Sequence, residues 1–192
     1  PHRMAIVSEL HRLGYNEHSS YISFLLRHYD ETSFLTHKDG KEEYLNKWRQ
    51  QVQQVAEQLF NGKGNKKQKK YLFEFFKEPR EIKLDVTTET LSQDDRYYDK
   101  KLYENSYFSL ISETIFSEKG RHGDGEETQL FITEKTYKPL MNYHPFIVVG
   151  LPHTLDYLQS QGFYTFPEMF DETYDSIIDP EARFSSIINE LR

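Results

Sequence analysis

Apolar residues recur at helical spacing near both ends of the chain and in one long segment between them. In residues 2–13 they fall near one face and Gly14 follows, which predicts a helix that ends at the glycine. Residues 41–60 carry apolar side chains at steps of three and four, and residues 180–191 repeat that spacing. The pattern therefore predicts three amphipathic helices that each bury one face.

Short apolar runs alternate with helical segments from residue 107 onwards. Residues 146–149 are all apolar and lie between Pro145 and Gly150, as in a buried parallel strand. The predicted order is a strand at 107–112, a short helix capped by Thr133, a strand at 146–149, a helix at 154–161, a strand at 163–166 and the helix at 180–191. Strands and helices in this alternation are typical of α/β proteins, so we predict a Rossmann-like parallel sheet flanked by helices.

The middle of the chain is polar. Residues 30–100 fit no part of the predicted sheet, and we interpret them as a helical or loop insertion within a single domain spanning residues 1–192. Asn61–Lys70 is interpreted as a basic, glycine-containing loop that could contact an anionic acceptor or nucleic acid, although a solvated loop is the simpler interpretation. Short strands are also predicted at Tyr21–Leu26 and Ile82–Val86.

Composition limits the class of protein. Aromatic residues make up 15% of the chain, which argues against general disorder. The net charge of −7 argues against a general attraction to nucleic acid or to an anionic membrane, so we expect neither as a partner. The chain has no cysteine, which excludes disulfides and thiolate metal sites and fits a reducing, cytoplasmic location. No apolar run approaches the roughly 20 residues of a membrane span.

The predicted helix start at Thr133 combines residue types that suit a nucleotide. We expect the helix start at Thr133 to offer free backbone N–H groups, which can bind phosphate. Glu134 could accept hydrogen bonds from ribose hydroxyls, and Lys135 or Lys138 could neutralise a diphosphate. Glu113-Thr114 follows the first strand of the predicted sheet and would lie at the same carboxyl edge, where ligands bind in open α/β folds. An ordinary capped helix start is the alternative interpretation.

Other charged residues have two interpretations each. Arg3 lies in the first turn of a predicted helix, where a cation costs about 0.3–1 kcal/mol and a bound anion would remove that cost; a solvated or carboxylate-paired arginine is the alternative. Asp171, Glu172 and Asp175 could position a sugar, but we favour capping and flanking of the last helix. Asp94-Asp95 could bind a metal, but no apolar strand leads into it, so we predict no metal site.

From Tyr107 to Leu191 the chain resembles the carboxyl-terminal, donor-binding half of fucosyltransferase-like GT-B glycosyltransferases, including those of phages and bacteria. Those enzymes carry a Glu-Asn pair after a strand, a variable loop, Tyr/Ile-Thr-Glu-Lys at a helix start, and Pro-Ile/Val in a strand. The matching segments are Ser112-Glu113-Thr114, the loop from Ile115 (here a glycine loop at 117–128), Ile132-Thr133-Glu134-Lys135, Pro145-Phe146-Ile147, Gly162–Phe166 and Asp171–Asp175. The family also has an arginine that opens an earlier helix, and Arg3–Leu10 has that spacing.

The resemblance implies a donor site for a nucleotide-diphosphate sugar. Arg3 and Lys135 would face the diphosphate, Glu134 the ribose, and Glu113 with Thr114 the sugar or phosphate. The candidate donor-binding residues are Arg3, Glu113, Thr114, Thr133, Glu134, Lys135, Tyr137 and Lys138. The resemblance favours a GDP-sugar, inversion of configuration and no metal or other cofactor. Thr114 stands where the family usually has Asn, and the catalytic residues stay unknown because no general base can be assigned.

The expected partners follow from the same resemblance. They are a nucleotide-sugar donor and a carbohydrate or another hydroxyl-bearing acceptor. A complete GT-B enzyme has a second Rossmann-like half, and we expect that half to lie upstream or to be reduced. The alternative function is a non-catalytic binding or structural module that keeps a degenerate nucleotide-binding half.

Overall fold

The computed structural model describes residues 2–15, 38–79, 100–117 and 130–192 of the chain. Two compact units are formed, Pro1–Val86 and Thr87–Arg192. The insertion interpreted at residues 30–100 extends across the boundary between these units, and the single domain spanning 1–192 stays a prediction. The segments that lie outside the described residues are the predicted strands Tyr21–Leu26 and Ile82–Val86, the pair Asp94-Asp95 and nearly all of the glycine loop at 117–128.

The first unit is helical in its described part. It contains α1 (His2–Arg12), α2 (Lys38–Leu59), a short 3-10 helix (Lys63–Asn65) and α3 (Lys66–Phe75). α1 packs against both α2 and α3. The buried apolar core of this unit includes Met4, Ile6, Val7, Trp48, Val52, Val55, Leu59, Leu72, Phe75 and Phe76. Gly14 has a φ of 95°, which is the left-handed conformation expected where α1 ends. The two helices predicted in this unit are thus confirmed.

The prediction of a loop at Asn61–Lys70 is wrong over its second half. α3 begins at Lys66 and continues to Phe75. Leu72 and Phe75 are buried on one side of α3, whereas most of its lysines are exposed on the other. Lysine is a good helix former, and the burial of the apolar side supplies the stability that a short helix lacks by itself. The run of lysines therefore marks the solvated face of a helix.

The second unit holds the only sheet in the described part of the chain. Its elements are α4 (Lys100–Glu104), β1 (Ser109–Ser112), α5 (Glu134–Met141), β2 (Phe146–Val149), α6 (Thr154–Ser160), a 3-10 helix (Glu172–Ser176) and α7 (Pro180–Glu190). β1 and β2 pair in parallel, with Ser109 opposite Phe146 and Ser112 opposite Val149. All four residues of β2 are buried. The described fold is thus mixed α/β and mostly helical, with a small two-stranded parallel sheet.

The strand predicted at Phe163–Phe166 is wrong: these four described residues form no strand. Phe166 has a φ of 68°, outside the extended region, and Pro167 follows it. Thr165 is buried, and its hydroxyl donates to Glu172 and accepts from the side-chain amide of Gln159. Tertiary hydrogen bonds therefore hold this segment in an irregular path.

Aspartates cap α6, α7 and the 3-10 helix of the second unit. Asp179 accepts a hydrogen bond from the backbone N–H of Ala182, 2.8 Å away, at the start of α7. Asp175 accepts from the backbone N–H groups of Leu155 (2.9 Å) and Asp156 (3.2 Å), and thereby caps α6 from 19 or more residues away. Asp171 caps the 3-10 helix that contains Glu172 and Asp175. Asp171 and Asp175 thus cap helices, but neither caps the last helix, where Asp179 is the cap. Glu172 is not a cap, because its carboxylate accepts hydrogen bonds from the side chains of Thr165 and Gln159.

A buried guanidinium links α7 to the chain that follows β1. Arg183 is only 2% exposed, and it donates hydrogen bonds to the carbonyl oxygens of Ile177, Ile178 and Phe116. Its guanidinium carbon also lies 4.5 Å from the centre of the Phe116 ring, which is cation–π distance. Charged arginine is rarely buried without such partners. One side chain thus satisfies three main-chain carbonyls.

Among the described residues, every helix is too short or too polar to cross a membrane.

Candidate functional site

The carboxyl ends of β1 and β2 form one edge of the sheet in the second unit. Glu113 follows β1, and its backbone N–H donates to the carbonyl of Val149 at 3.0 Å. Gly150 follows β2, and a Cβ there would lie 3.2 Å from Cγ1 of Val148 and 3.7 Å from Cβ of Glu113. The absence of a side chain at position 150 therefore lets these neighbours approach closely. Ligands of open α/β sheets bind at this kind of edge.

Glu113 is fully buried and binds the start of α5. Its Oε1 accepts hydrogen bonds from the backbone N–H of Thr133 (3.0 Å) and the hydroxyl of Thr136 (2.6 Å). Its Oε2 accepts from the hydroxyl of Thr133 (2.7 Å), and no part of the residue is exposed to solvent. We call these three residues the carboxylate clasp. The contact with sugar or phosphate that the resemblance implied for Glu113 stays a prediction, because the described partners of its side chain are protein groups.

Thr133 caps α5, as the sequence predicted. Its backbone is extended, and its hydroxyl oxygen faces the backbone N–H of Lys135 at 3.4 Å and the Lys135 Nζ at 3.2 Å. The hydroxyl donates its own proton to Glu113 and so keeps its lone pairs toward Lys135. The N–H groups of Thr133 and Lys135 therefore already have acceptors. The expectation of free N–H groups at this helix start is wrong for these two, and an anion would mainly meet side chains.

Charged side chains occupy the solvent side of the same helix start. The Nζ of Lys135 lies 3.3 Å from Oε1 of Glu134, and the two side chains are 37% and 45% exposed. Burial raises the pKa of Glu134, but its own backbone N–H and the ammonium groups of Lys135 and Lys138 outweigh that effect, so the pKa lies below its usual value. Glu134 is therefore an anionic acceptor at neutral pH, with two cations close to it.

An aromatic pair flanks these charges. Tyr137 is 38% exposed, and its ring meets that of Phe163 edge to face with 6.1 Å between centroids. Phe163 is 40% exposed, so its ring lies at the surface and not in the core. The sequence places Phe163 directly after Gly162, where α6 has ended, and helical periodicity therefore predicts nothing about its exposure.

Thr114 is exposed one residue beyond Glu113.

The structure brings most of the predicted donor-binding residues together. Glu113, Thr133, Glu134 and Lys135 form one hydrogen-bonded chain, and Tyr137 and Lys138 continue along α5. Arg3 is exposed on α1 of the other unit, and its predicted contact with a diphosphate stays a prediction. Sequence reasoning missed the hydrogen bond from Thr136 to Glu113 and the close approach of Val148 and Glu113 to Gly150, because neither residue carries a motif of its own.

The described part of the chain contains no group of three or more His, Cys, Asp and Glu side chains that could hold a metal ion. Comparison of the chain with known protein families, curated proteins and solved structures gives no match. The assignment of a function therefore depends on the geometry of the site and on the sequence motifs.

Proposed function

We propose that residues 107–191 form the donor-binding part of a glycosyltransferase that uses a nucleotide-diphosphate sugar. The observation that carries this proposal is the position of the start of α5. The buried Glu113 fixes it at the carboxyl edge of a parallel strand pair, while Glu134 and Lys135 stay on its solvent side. A donor site needs this combination of a rigid support and accessible charges.

Each accessible group has a partner on such a donor. The carboxylate of Glu134 would accept hydrogen bonds from the ribose hydroxyls, because it is anionic and half-exposed. Lys135 and Lys138 would neutralise the diphosphate as point charges. The ring pair of Tyr137 and Phe163 offers an apolar surface for the base.

These contacts would serve sugar transfer by stabilising the leaving group. An acceptor hydroxyl attacks the anomeric carbon, the bond from that carbon to the diphosphate oxygen breaks, and the nucleoside diphosphate leaves with the electron pair. The hydroxyl proton passes to a general base. No side chain among the described residues can be assigned to that role. Lys135 and Lys138 would stabilise the negative charge that develops on the diphosphate.

The finer parts of the proposal come from the resemblance alone. They are a guanosine donor, inversion at the anomeric carbon, charge stabilisation without a metal, a carbohydrate or other hydroxyl acceptor and a second Rossmann-like half; a cytoplasmic location is proposed from the absence of cysteine instead. None of them changes which residues of the second unit would contact the donor.

Calorimetric titration of the whole chain with the diphosphates of uridine, guanosine, cytidine, adenosine and thymidine tests the proposal, first without metal and then with magnesium. We expect one nucleotide to bind, and Lys135→Ala to weaken that binding by about tenfold or more, since a charge-assisted hydrogen bond contributes about 1.5–3 kcal/mol. Lys100→Ala is the matched control, because Lys100 also lies 3.3 Å from a helical glutamate but in α4.

Two results would count against a donor site. The first is that a folded chain binds none of the five nucleotides, which would favour the non-catalytic binding or structural module. The second is binding that Lys135→Ala and Lys100→Ala leave equally unchanged, which would place the nucleotide elsewhere on the chain.

A further inference from the structure

α3 presents two chemically different sides. Its apolar side is buried, with Leu72 and Phe75 in the core of the first unit. Its other side, together with the short 3-10 helix before it, carries exposed or half-exposed lysines and one exposed aromatic ring. We call this surface the lysine face, and it consists of Lys63, Lys66, Lys67, Lys69, Lys70 and Phe73.

The lysines of this face have no carboxylate partner in the part of the chain that the structure describes. Glu74 is the single acidic residue between positions 63 and 75. By comparison, Lys47 of α2 pairs with Glu43 at 2.7 Å, so a paired lysine is present in the same unit. The lysine face is thus a concentration of positive charge that the described residues do not neutralise.

Phe73 lies among these charges. Lys69 and Lys70 precede it by four and three residues, which places all three on neighbouring positions of one helix face. Lys66 lies one turn before Lys70, about 6 Å along the helix axis. The Phe73 ring is 38% exposed although the other apolar side chains of α3, Leu72 and Phe75, are buried. An aromatic ring is therefore held at the surface, on a helix face that also carries lysines.

The net charge of the whole chain does not reflect the positive charge of the lysine face, because the two units differ in sign. Residues 1–86 contain 15 lysines and arginines against 12 aspartates and glutamates, a net charge of +3. Residues 87–192 contain 9 against 19, a net charge of −10. The overall value of −7, which argued against nucleic acid as a partner, is thus the sum of two units of opposite sign. That argument does not apply to the lysine face.

We propose that the lysine face binds single-stranded nucleic acid, with the lysines neutralising neighbouring phosphates and Phe73 stacking on an unpaired base. Surfaces that bind single strands combine these two features, and aromatic stacking tolerates any sequence because every base has a π face. A membrane fits less well, because insertion needs the apolar side of a helix and that side of α3 is packed within its own unit. This binding does not depend on the glycosyltransferase proposal.

Fluorescence anisotropy of a labelled oligothymidylate of about 16 nucleotides, titrated with the whole chain, tests the charge contribution. The double variant Lys66→Gln with Lys70→Gln removes two phosphate contacts. We expect the salt slope of log K to fall by about 1.4, which corresponds to about 25-fold weaker binding at about 0.1 M salt. The matched control is Lys47→Gln with Lys100→Gln, which removes the same charge from exposed helix positions outside the lysine face.

The stacking contribution needs a second pair of variants. Phe73→Leu keeps an apolar side chain but removes the ring, and we expect binding at least about fivefold weaker. Phe73→Trp keeps a ring and should bind like the unchanged chain. Circular dichroism and thermal unfolding check that each variant is folded.

Four results would overturn the proposal. The first is that the folded chain does not bind the oligonucleotide at about 50 mM salt, and the second is that the control double variant loses as much affinity as the double variant of the lysine face. The third is that Phe73→Leu leaves the affinity unchanged, and the fourth is that the chain binds phosphatidylserine vesicles but not the oligonucleotide. Tighter binding of a duplex than of a single strand of the same sequence would also contradict it, since a paired base is not free to stack on Phe73.

Discussion

Replacement of Glu113 by glutamine removes the negative charge of the carboxylate clasp while keeping the shape of the side chain. The amide oxygen can occupy the place of Oε1 and accept from Thr133 and Thr136. The amide nitrogen then occupies the place of Oε2, where the hydroxyl of Thr133 donates at 2.7 Å. The amide N–H of the glutamine and the hydroxyl of Thr133, which are both donors, would face each other there. If the hydroxyl turns its proton toward Lys135 instead, it meets the backbone N–H and the Nζ of Lys135, which are donors as well.

The expected cost follows from these contacts. A hydrogen bond to a charged acceptor contributes about 1.5–3 kcal/mol, and Glu113→Gln loses one such bond and weakens two others. We therefore expect the free energy of unfolding of the second unit to fall by about 2–3 kcal/mol. For a unit of roughly 100 residues this corresponds to a fall in Tm of about 10 °C.

Thermal and urea unfolding of the whole chain, followed by circular dichroism, measure this loss. Native-state hydrogen exchange adds a local measurement, because the N–H of Thr133 is protected by Glu113 itself. Glu134→Gln is the control, since it removes a half-exposed carboxylate from the same helix start and should cost less than about 1 kcal/mol. The control should instead weaken nucleotide binding, so the two variants separate support of the site from contact with the donor.

The clasp would be refuted if Glu113→Gln cost less than about 0.5 kcal/mol, or no more than Glu134→Gln. A double-mutant cycle with Thr136→Val gives an independent check, because the two side chains share a hydrogen bond of 2.6 Å. Their measured losses should then be non-additive. Additive losses would mean that the contact contributes nothing to the stability of α5.

Three further predictions concern the second unit. Asp175→Ala should lower the free energy of unfolding by about 0.5–2 kcal/mol in urea titration, because α6 loses its cap, and by more than Asp171→Ala, which removes an exposed cap of a short 3-10 helix. Gly150→Ala should cost about 1–3 kcal/mol in the same assay, because its Cβ would lie 3.2 Å from Val148, whereas Gly64→Ala has nothing within 4 Å and should be nearly neutral. Burial, followed by nearby carboxylates, raises the pKa of Glu172 in spite of its bond from Thr165, so its contribution to stability is complete below the unfolded pKa and is lost as pH rises through the folded pKa. Glu172→Gln should therefore raise Tm at neutral pH, a gain that disappears in acid; an equal gain at every pH would contradict the titration of Glu172.

Local signals in the sequence predicted local structure well. Gly14 and Gly162 end helices because the left-handed backbone that they adopt needs no partner elsewhere in the chain. The cap at Thr133 and the buried strand at Phe146–Val149 are likewise encoded within a few residues. Prediction succeeded where a residue and the group that satisfies it are neighbours in sequence.

Prediction failed where distant residues decide the outcome. The partners of Glu113 lie 20 and 23 positions later, and no periodicity connects them. Thr165 lies in a segment rich in strand-forming residues, yet its bonds to Gln159 and Glu172 hold that segment in an irregular path. The run of lysines in α3 predicts a loop by its composition, because the apolar residues of the helix begin only after it, at Leu72. These are tertiary effects that override local preference.

The three described acceptors of the buried Arg183 are main-chain carbonyls, which has a consequence for how this protein can evolve. The hydrogen bonds to positions 177 and 178 do not depend on which side chains stand there, so those two positions can change without losing these bonds. Position 116 also supplies the aromatic ring that lies 4.5 Å from the guanidinium carbon. The residue type at position 183 must stay arginine, since a lysine there would offer no planar group with several donors for these carbonyls. The clasp at Glu113 differs, because its hydroxyl donors are side chains and a change at either end calls for a matching change at the other. Among diverged relatives we therefore expect independent variation at positions 177 and 178 and coupled variation between positions 113 and 136.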